Sequence, residues 1–128
     1  MIFLVAAAAA VMNPCERAGT QAESTRCAWN DFRKADAALN AQFLGSLADA
    51  AKRDRGNRDS AVRGDRRPSY TEALRQAQRA WNKFRDLHCT VEGYWGRGGT
   101  IEPMLRNFCL ARLTRERTEQ LRKMWRRR

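Results

Sequence analysis

Apolar residues recur every three or four positions in three stretches of this chain, with polar residues between them. In the first stretch, Ala28, Phe32, Ala35, Leu39 and Phe43 fall on one side of a helix. Thr20-Gln21-Ala22-Glu23 stands just ahead with capping-box spacing. Its hydroxyl and carboxylate can each satisfy a backbone N–H that the first helical turn leaves unpaired. Together these predict a helix from Thr20 to about Asp49. The second stretch is Tyr70, Leu74, Ala77, Trp81 and Phe84. It follows Pro68 and a second capping box, Ser69-Tyr70-Thr71-Glu72, and predicts a helix ending near His88 or Cys89. Four glycines between Glu92 and Gly99 stop that helix and permit positive φ. Thr100 is placed to cap a third helix with Pro103 in its first turn, where a missing N–H costs little. Ile101, Met104, Phe108, Ala111, Leu121 and Trp125 supply its apolar side. The stripe thins between Arg112 and Thr118, so this helix is expected to pack best in its first half.

Long alternation of apolar and polar residues is absent, which argues against a sheet. The expected fold is all-α: a small antiparallel bundle of three main helices. Trp29, Phe32, Trp81, Phe84 and Phe108 are its candidate core aromatics. At least one tryptophan is expected near the surface, where its N–H can meet a partner. Residues 52–68 break the periodicity. They are charged and punctuated by Gly56, Gly64 and Pro68, and read as a connection, with a frayed extension of the first helix before Gly56.

Met1 to Met12 is an uncharged apolar run. It is shorter than the roughly 20 residues that span a bilayer, so no transmembrane anchor is expected. Its length suits the apolar region of a signal peptide. Residues 1–13 are read as the leader and 14–128 as one domain, exported to the periplasm or the extracellular space. No Lys or Arg precedes the run; the terminal amine or an upstream start would supply that charge. The competing reading is a buried N-terminal helix. Pro14 occupies the place where a lipid-anchor site needs a small residue before Cys15.

Cys15, Cys27, Cys89 and Cys109 make an even count in an exported chain, which predicts two disulfides. Of three connectivities, Cys15–Cys27 and Cys89–Cys109 are favoured. The first folds the N-terminal segment back onto helix one. The second locks helix two to helix three across the Gly-rich loop. Zinc is the alternative, but the cysteines lie 12, 62 and 20 residues apart rather than in close pairs, and His88 is the one histidine. Neither metal nor cofactor is expected.

The formal charge is +11 and is unevenly spread. Residues 52–67 carry seven basic and three acidic groups, and residues 112–128 carry eight and two. The middle is nearly neutral. The bland reading of the two segments is a solvated charge run, the second a basic C-terminal tail. The functional reading makes Lys52, Arg53, Arg66, Arg67, Arg126, Arg127 and Arg128 contacts for anionic cell-wall or lipid polymers. Nucleic acid fits the charge but not export, and no recognition motif is present.

No catalytic constellation emerges, so the chain is not read as an enzyme; His88 has no nucleophile motif beside it. Arg79, Arg85 and Asp86 share a helix with the aromatics and are expected in salt bridges within the bundle. Asp36 and Asn40, one turn apart, are expected to tie helix one to helix two. The better site is the Gly-flanked segment Val91 to Gly99. There Tyr94, Trp95 and Arg97 are candidate partner-binding residues. The alternative, equally weighted, has Trp95 closing the end of the bundle as a lid.

Several segments together resemble one family. They are Thr20-Gln21-Ala22-Glu23 with Cys27-Ala28, Ala35-Asp36 and Leu39-Asn40. Then come Ala77-Gln78-Arg79-Ala80-Trp81 with Phe84-Arg85-Asp86 and Cys89. Last are Gly98-Gly99-Thr100-Ile101, Pro103-Met104, Cys109, Leu113-Thr114, Arg117 and Leu121. This pattern is similar to the lysozyme inhibitor LprI-like family. The resemblance implies a small exported helical protein of bacterial type, with lysozyme as a partner. Asn82 and Ser24 depart from the family pattern without affecting the fold. Animal lysozymes are cationic, so a +11 chain meets repulsion that salt screens beyond about 8 Å.

Overall fold

The computed structural model describes residue 15 and residues 19–56 and 62–126. The leader assigned to residues 1–13, part of the basic connection, and Arg127 and Arg128 lie outside the described residues. Three helices form in order: α1 (Gln21–Gly56), α2 (Tyr70–Gly93) and α3 (Glu102–Met124). A 3-10 turn at Tyr94–Gly96 continues α2. The described residues contain no strand.

Side-chain pairings fix the directions. Gln21 Nε2 donates to Met104 Sδ at 3.2 Å, Asn107 Nδ2 donates to the Thr25 carbonyl at 3.3 Å, and Arg53 lies 5.3 Å from the Trp125 ring centre. Early residues of α1 therefore meet early residues of α3, and late meet late. α2 runs the opposite way: Cys89 bonds Cys109, and Arg117 Nε donates to Gln78 Oε1 at 3.0 Å. α1 and α3 pack most extensively on each other, and α2 leans on that pair. The disulfides Cys15–Cys27 and Cys89–Cys109 lie at one pole, where α1 and α3 begin and α2 ends.

The helix boundaries differ from the periodicity in instructive ways. α1 runs to Gly56 because its buried face continues past Leu39 through Ser46 and Ala50. α2 passes Cys89 and ends at Gly93. Gly93 is buried against α3, and a Cβ there would stand 3.4 Å from Arg106 Cβ, an ordinary contact distance. Thr100 does not cap α3. The cap position is Ile101, and the Glu102 carboxylate instead accepts from the Gly98 N–H at 3.1 Å. Gly98 has φ +81°, the left-handed conformation that reverses the chain there.

Two buried clusters run along the bundle. Phe32, Cys89, Cys109, Leu110 and Ala111 form one at the stapled pole. Leu39, Ala50, Leu74 and Leu121 form the other, with Phe43, Leu47, Trp81 and Trp125 packed against it. Of the candidate core aromatics, Phe32 is buried, while Trp81 and Phe108 are half-buried. Trp29 and Phe84 are exposed, and so are Tyr70 and Ala77 of the second stripe. The reason is geometric. The apolar arc of α2 is wider than the surface α1 and α3 present to it, and only the Leu74, Gln78, Arg85 and Cys89 side is covered. The thinned stretch of α3 packs through Thr114, which is fully buried.

Candidate functional site

The stapled pole ends in a built tip. α2 delivers Tyr94-Trp95-Gly96 as a 3-10 turn. The Arg97 N–H donates to the Tyr94 carbonyl at 3.1 Å, and the Gly99 N–H to the Gly96 carbonyl at 2.9 Å. Any Cβ on Gly96 would collide with Ile101 Cγ2 and stand 3.2 Å from the Glu102 nitrogen, so the turn presses on the start of α3. The Arg97 guanidinium sits 4.1 Å from the centre of the Tyr94 ring. Trp95 is 90% exposed. A lid would be covered, so the exposed alternative describes this tryptophan.

Beside Trp95 an open cleft of about 760 Å³ lies between the end of α2 and α3. Leu105 and Phe108 give it an apolar floor, with Glu92, Arg112, Arg115 and Glu116 on its rim. Arg112 pairs with Glu92, and Arg115 with Asp31 of α1, so these guanidiniums are held in place rather than trailing in solvent. Aromatic surface next to anchored arginines is the chemistry of interface hot spots.

His88 Nε2 lies 3.2 Å from Glu92 Oε1. His88, Glu92 and Cys109 bring ligand atoms within 4.8 Å of one another. The set does not suit a cation, because the Cys109 sulfur is bonded to Cys89 and Arg112 occupies the Glu92 carboxylate.

The expected internal salt bridges fall unevenly. Arg85 is buried and pairs with Asp86 at 3.1 Å and Asp36 at 3.5 Å, which does link α1 to α2. Asn40 is exposed. Arg79 stays exposed and lies 3.6 Å from Glu72.

Described cations from both basic segments gather at the pole opposite the tip. Lys52 and Arg53 are exposed in the last turns of α1, and Arg66, Arg67 and Arg126 are exposed in the connection and after α3. Arg67 is engaged by Asp65, whose carboxyl is lowered to about 2, first by the hydrogen bond from that guanidinium. Folding thus gathers cations that are some sixty residues apart in the chain. One residue that periodicity did not single out organises this pole. The Asp54 carboxylate accepts from the Tyr70 N–H at 2.8 Å, the Thr71 N–H at 3.1 Å and the Thr71 hydroxyl at 2.7 Å. These bonds hold its pKa below the ordinary carboxylate value, the hydroxyl contributing most. The only available sequence signal was an acidic residue in a basic run.

Three helices stapled by two disulfides thus carry an exposed aromatic tip at one pole. The family model described as "Lysozyme inhibitor LprI" matches residues 12–121. An uncharacterized protein of Rhizobium meliloti (strain 1021) is 41% identical over 112 residues, covering 86% of this chain and 77% of that protein. No solved structure matches. The chain belongs to the lysozyme inhibitor LprI family.

Proposed function

We propose that this protein is an exported, non-enzymatic inhibitor that engages lysozyme through the tip formed by Tyr94, Trp95 and Arg97. Residues 1–13 serve as its export signal, and residues 14–128 act as one domain in the periplasm or outside the cell. The exposure of Trp95 beside a cleft floored by Leu105 and Phe108 carries this reading, since large apolar surface in water is relieved by a partner. Family membership supports lysozyme as the target. The charge distribution favours the same end of the molecule. In a single copy Lys52, Arg53, Arg66 and Arg126 stand at the far pole, beyond the ~8 Å screening length, while Arg112 and Arg115 at the cleft are paired with carboxylates, so a cationic enzyme meets less repulsion at the tip.

The test is a lysozyme turbidity assay with the purified protein. Inhibition is expected, and Trp95→Ala should weaken it by roughly 30-fold, the effect of losing about 2 kcal/mol at a hot spot. Its melting temperature should not change, because Trp95 supports no packing. Full lysozyme activity at saturating wild-type protein refutes the reading.

A second reading is favoured by the gathering of Lys52, Arg53, Arg66 and Arg126 at one pole. There the protein docks on anionic cell-wall or lipid polymers. Retention on peptidoglycan or anionic vesicles should then fall steeply as salt rises, and Trp95→Ala should leave it unchanged.

A further inference from the structure

The outer face of α2 carries a second, unburied apolar stripe. Tyr70, Ala73, Ala77, Ala80, Phe84, Leu87, Val91 and Tyr94 follow one another at alternating spacings of three and four. Every one of them is exposed: Phe84 by 55%, Leu87 by 60% and Val91 by 63%. A 3.5-residue repeat held through the whole of a 24-residue helix is the pattern of a helix that packs along a second helix. α1 and α3 lie on a different side of α2, so neither fills this role.

The stripe is also complementary to itself. Its first half is small (Ala73, Ala77, Ala80) and its second half large (Phe84, Leu87, Val91). Laid antiparallel on a second copy, Tyr70 meets Tyr94, Ala73 meets Val91, Ala77 meets Leu87, and Ala80 meets Phe84. All four pairings share one register, with a two-fold axis at the level of Asn82. Each central layer sets a small residue against a large one. A parallel pairing would set Phe84 on Phe84 and Ala77 on Ala77, crowding some layers and leaving gaps in others. Charge points the same way. Antiparallel packing puts the two basic poles at opposite ends of a helix about 36 Å long, several screening lengths apart. Area suffices as well. With roughly 200 Å² per large side chain and about half of it exposed, two copies bury on the order of 1,000 Å², the lower bound for a specific interface.

We propose that the protein forms a two-fold antiparallel dimer through the Tyr70-to-Tyr94 face of α2. The interface is isologous and closed, so assembly stops at two. The two Trp95 tips then point to opposite ends of the dimer. The two Lys83 side chains flank the axis on the same edge, so association strengthens as salt screens them. This is the opposite of the salt dependence of binding to an anionic polymer, and the proposal does not rest on lysozyme being the target.

Sedimentation equilibrium of the purified protein at low and high salt tests it. A concentration-dependent dimer, tighter at high salt, is expected. Leu87→Asp should leave a monomer with unchanged circular dichroism and, at concentrations low enough for wild type to be monomeric, an unchanged melting temperature, weakening association by at least roughly tenfold. Ala77→Glu alone should do the same, whereas Ala77→Glu combined with Leu87→Lys should restore the dimer, since those positions face each other only in the antiparallel register. A wild-type monomer at every concentration overturns the proposal. So does a dimer indifferent to Leu87→Asp, which would place the interface elsewhere. Loss of melting temperature in Leu87→Asp without a change of mass overturns it too, because the stripe would then be covered from within the chain. A double variant that stays monomeric overturns the antiparallel register.

Discussion

Arg85 shows how much one side chain holds in a bundle with so small a core. Its guanidinium lies 5.1 Å from the Phe32 ring centre and 5.2 Å from that of Trp81. It donates to Thr114 Oγ1 at 3.4 Å and to Asp86 Oδ1 at 3.1 Å. One residue of α2 thereby touches all three helices. A planar cation between two ring faces stabilises through cation–π attraction and through the buried stem. Asp36 and Asp86 keep substantial exposure, so their ion pairs contribute less. Arg85→Ala should cost about 2 kcal/mol or more in urea unfolding, and Arg85→Lys should recover less than half of that, since an ammonium keeps the charge but not the planar stack. Equal midpoints for wild type and Arg85→Ala would show the stack to be idle.

At the scale of the helix, α2 starts where two caps meet. Ser69 Oγ accepts from the Glu72 N–H at 3.1 Å, as a capping box requires. The Glu72 carboxylate turns away and accepts from Gln76 instead. Asp54, from the end of α1, accepts from the Tyr70 and Thr71 N–H groups and so ties two helix ends together. Because its folded pKa is below the ordinary value of 3.8, its contribution is complete above that value and is lost as pH falls through the lowered one. Asp54→Asn should therefore lower the melting temperature at neutral pH, with the difference from wild type shrinking in acid until the two coincide. A constant difference across the acid range would mean that the carboxylate's charge does not matter. Sequence placed the Ser69 cap from its spacing alone. It could not place Asp54, because the partners are sixteen and seventeen residues away and meet only when α1 reaches Gly56.

The whole molecule is polar in its design: covalent staples and the aromatic tip at one pole, cations at the other. The Cys89–Cys109 bond closes a 20-residue loop that contains the tip. Replacing both cysteines by serine should cost about 3 kcal/mol, the loop-closure entropy returned to the unfolded chain. Amide exchange should rise first in residues 93–102. The Cys15–Cys27 bond closes 12 residues and ties down a segment ahead of α1. Its removal should leave exchange at the tip unchanged, which compares the two staples in one experiment.

The sequence by itself determined the helices, the wide apolar arc of α2, the positions of the cysteines and the two cationic runs. Each of these depends on spacing along the chain, and helical periodicity converts spacing directly into a face. Only tertiary structure decided which apolar residues were buried. Leu74 and Phe84 lie on the same sequence stripe, yet one is covered and the other is in water, because coverage depends on where α1 and α3 cross α2. It also decided that Lys52, Arg53, Arg66 and Arg67 share a pole with Arg126 beyond the end of α3. That follows from α1 and α3 running in the same direction, a relation between helices that no local pattern encodes.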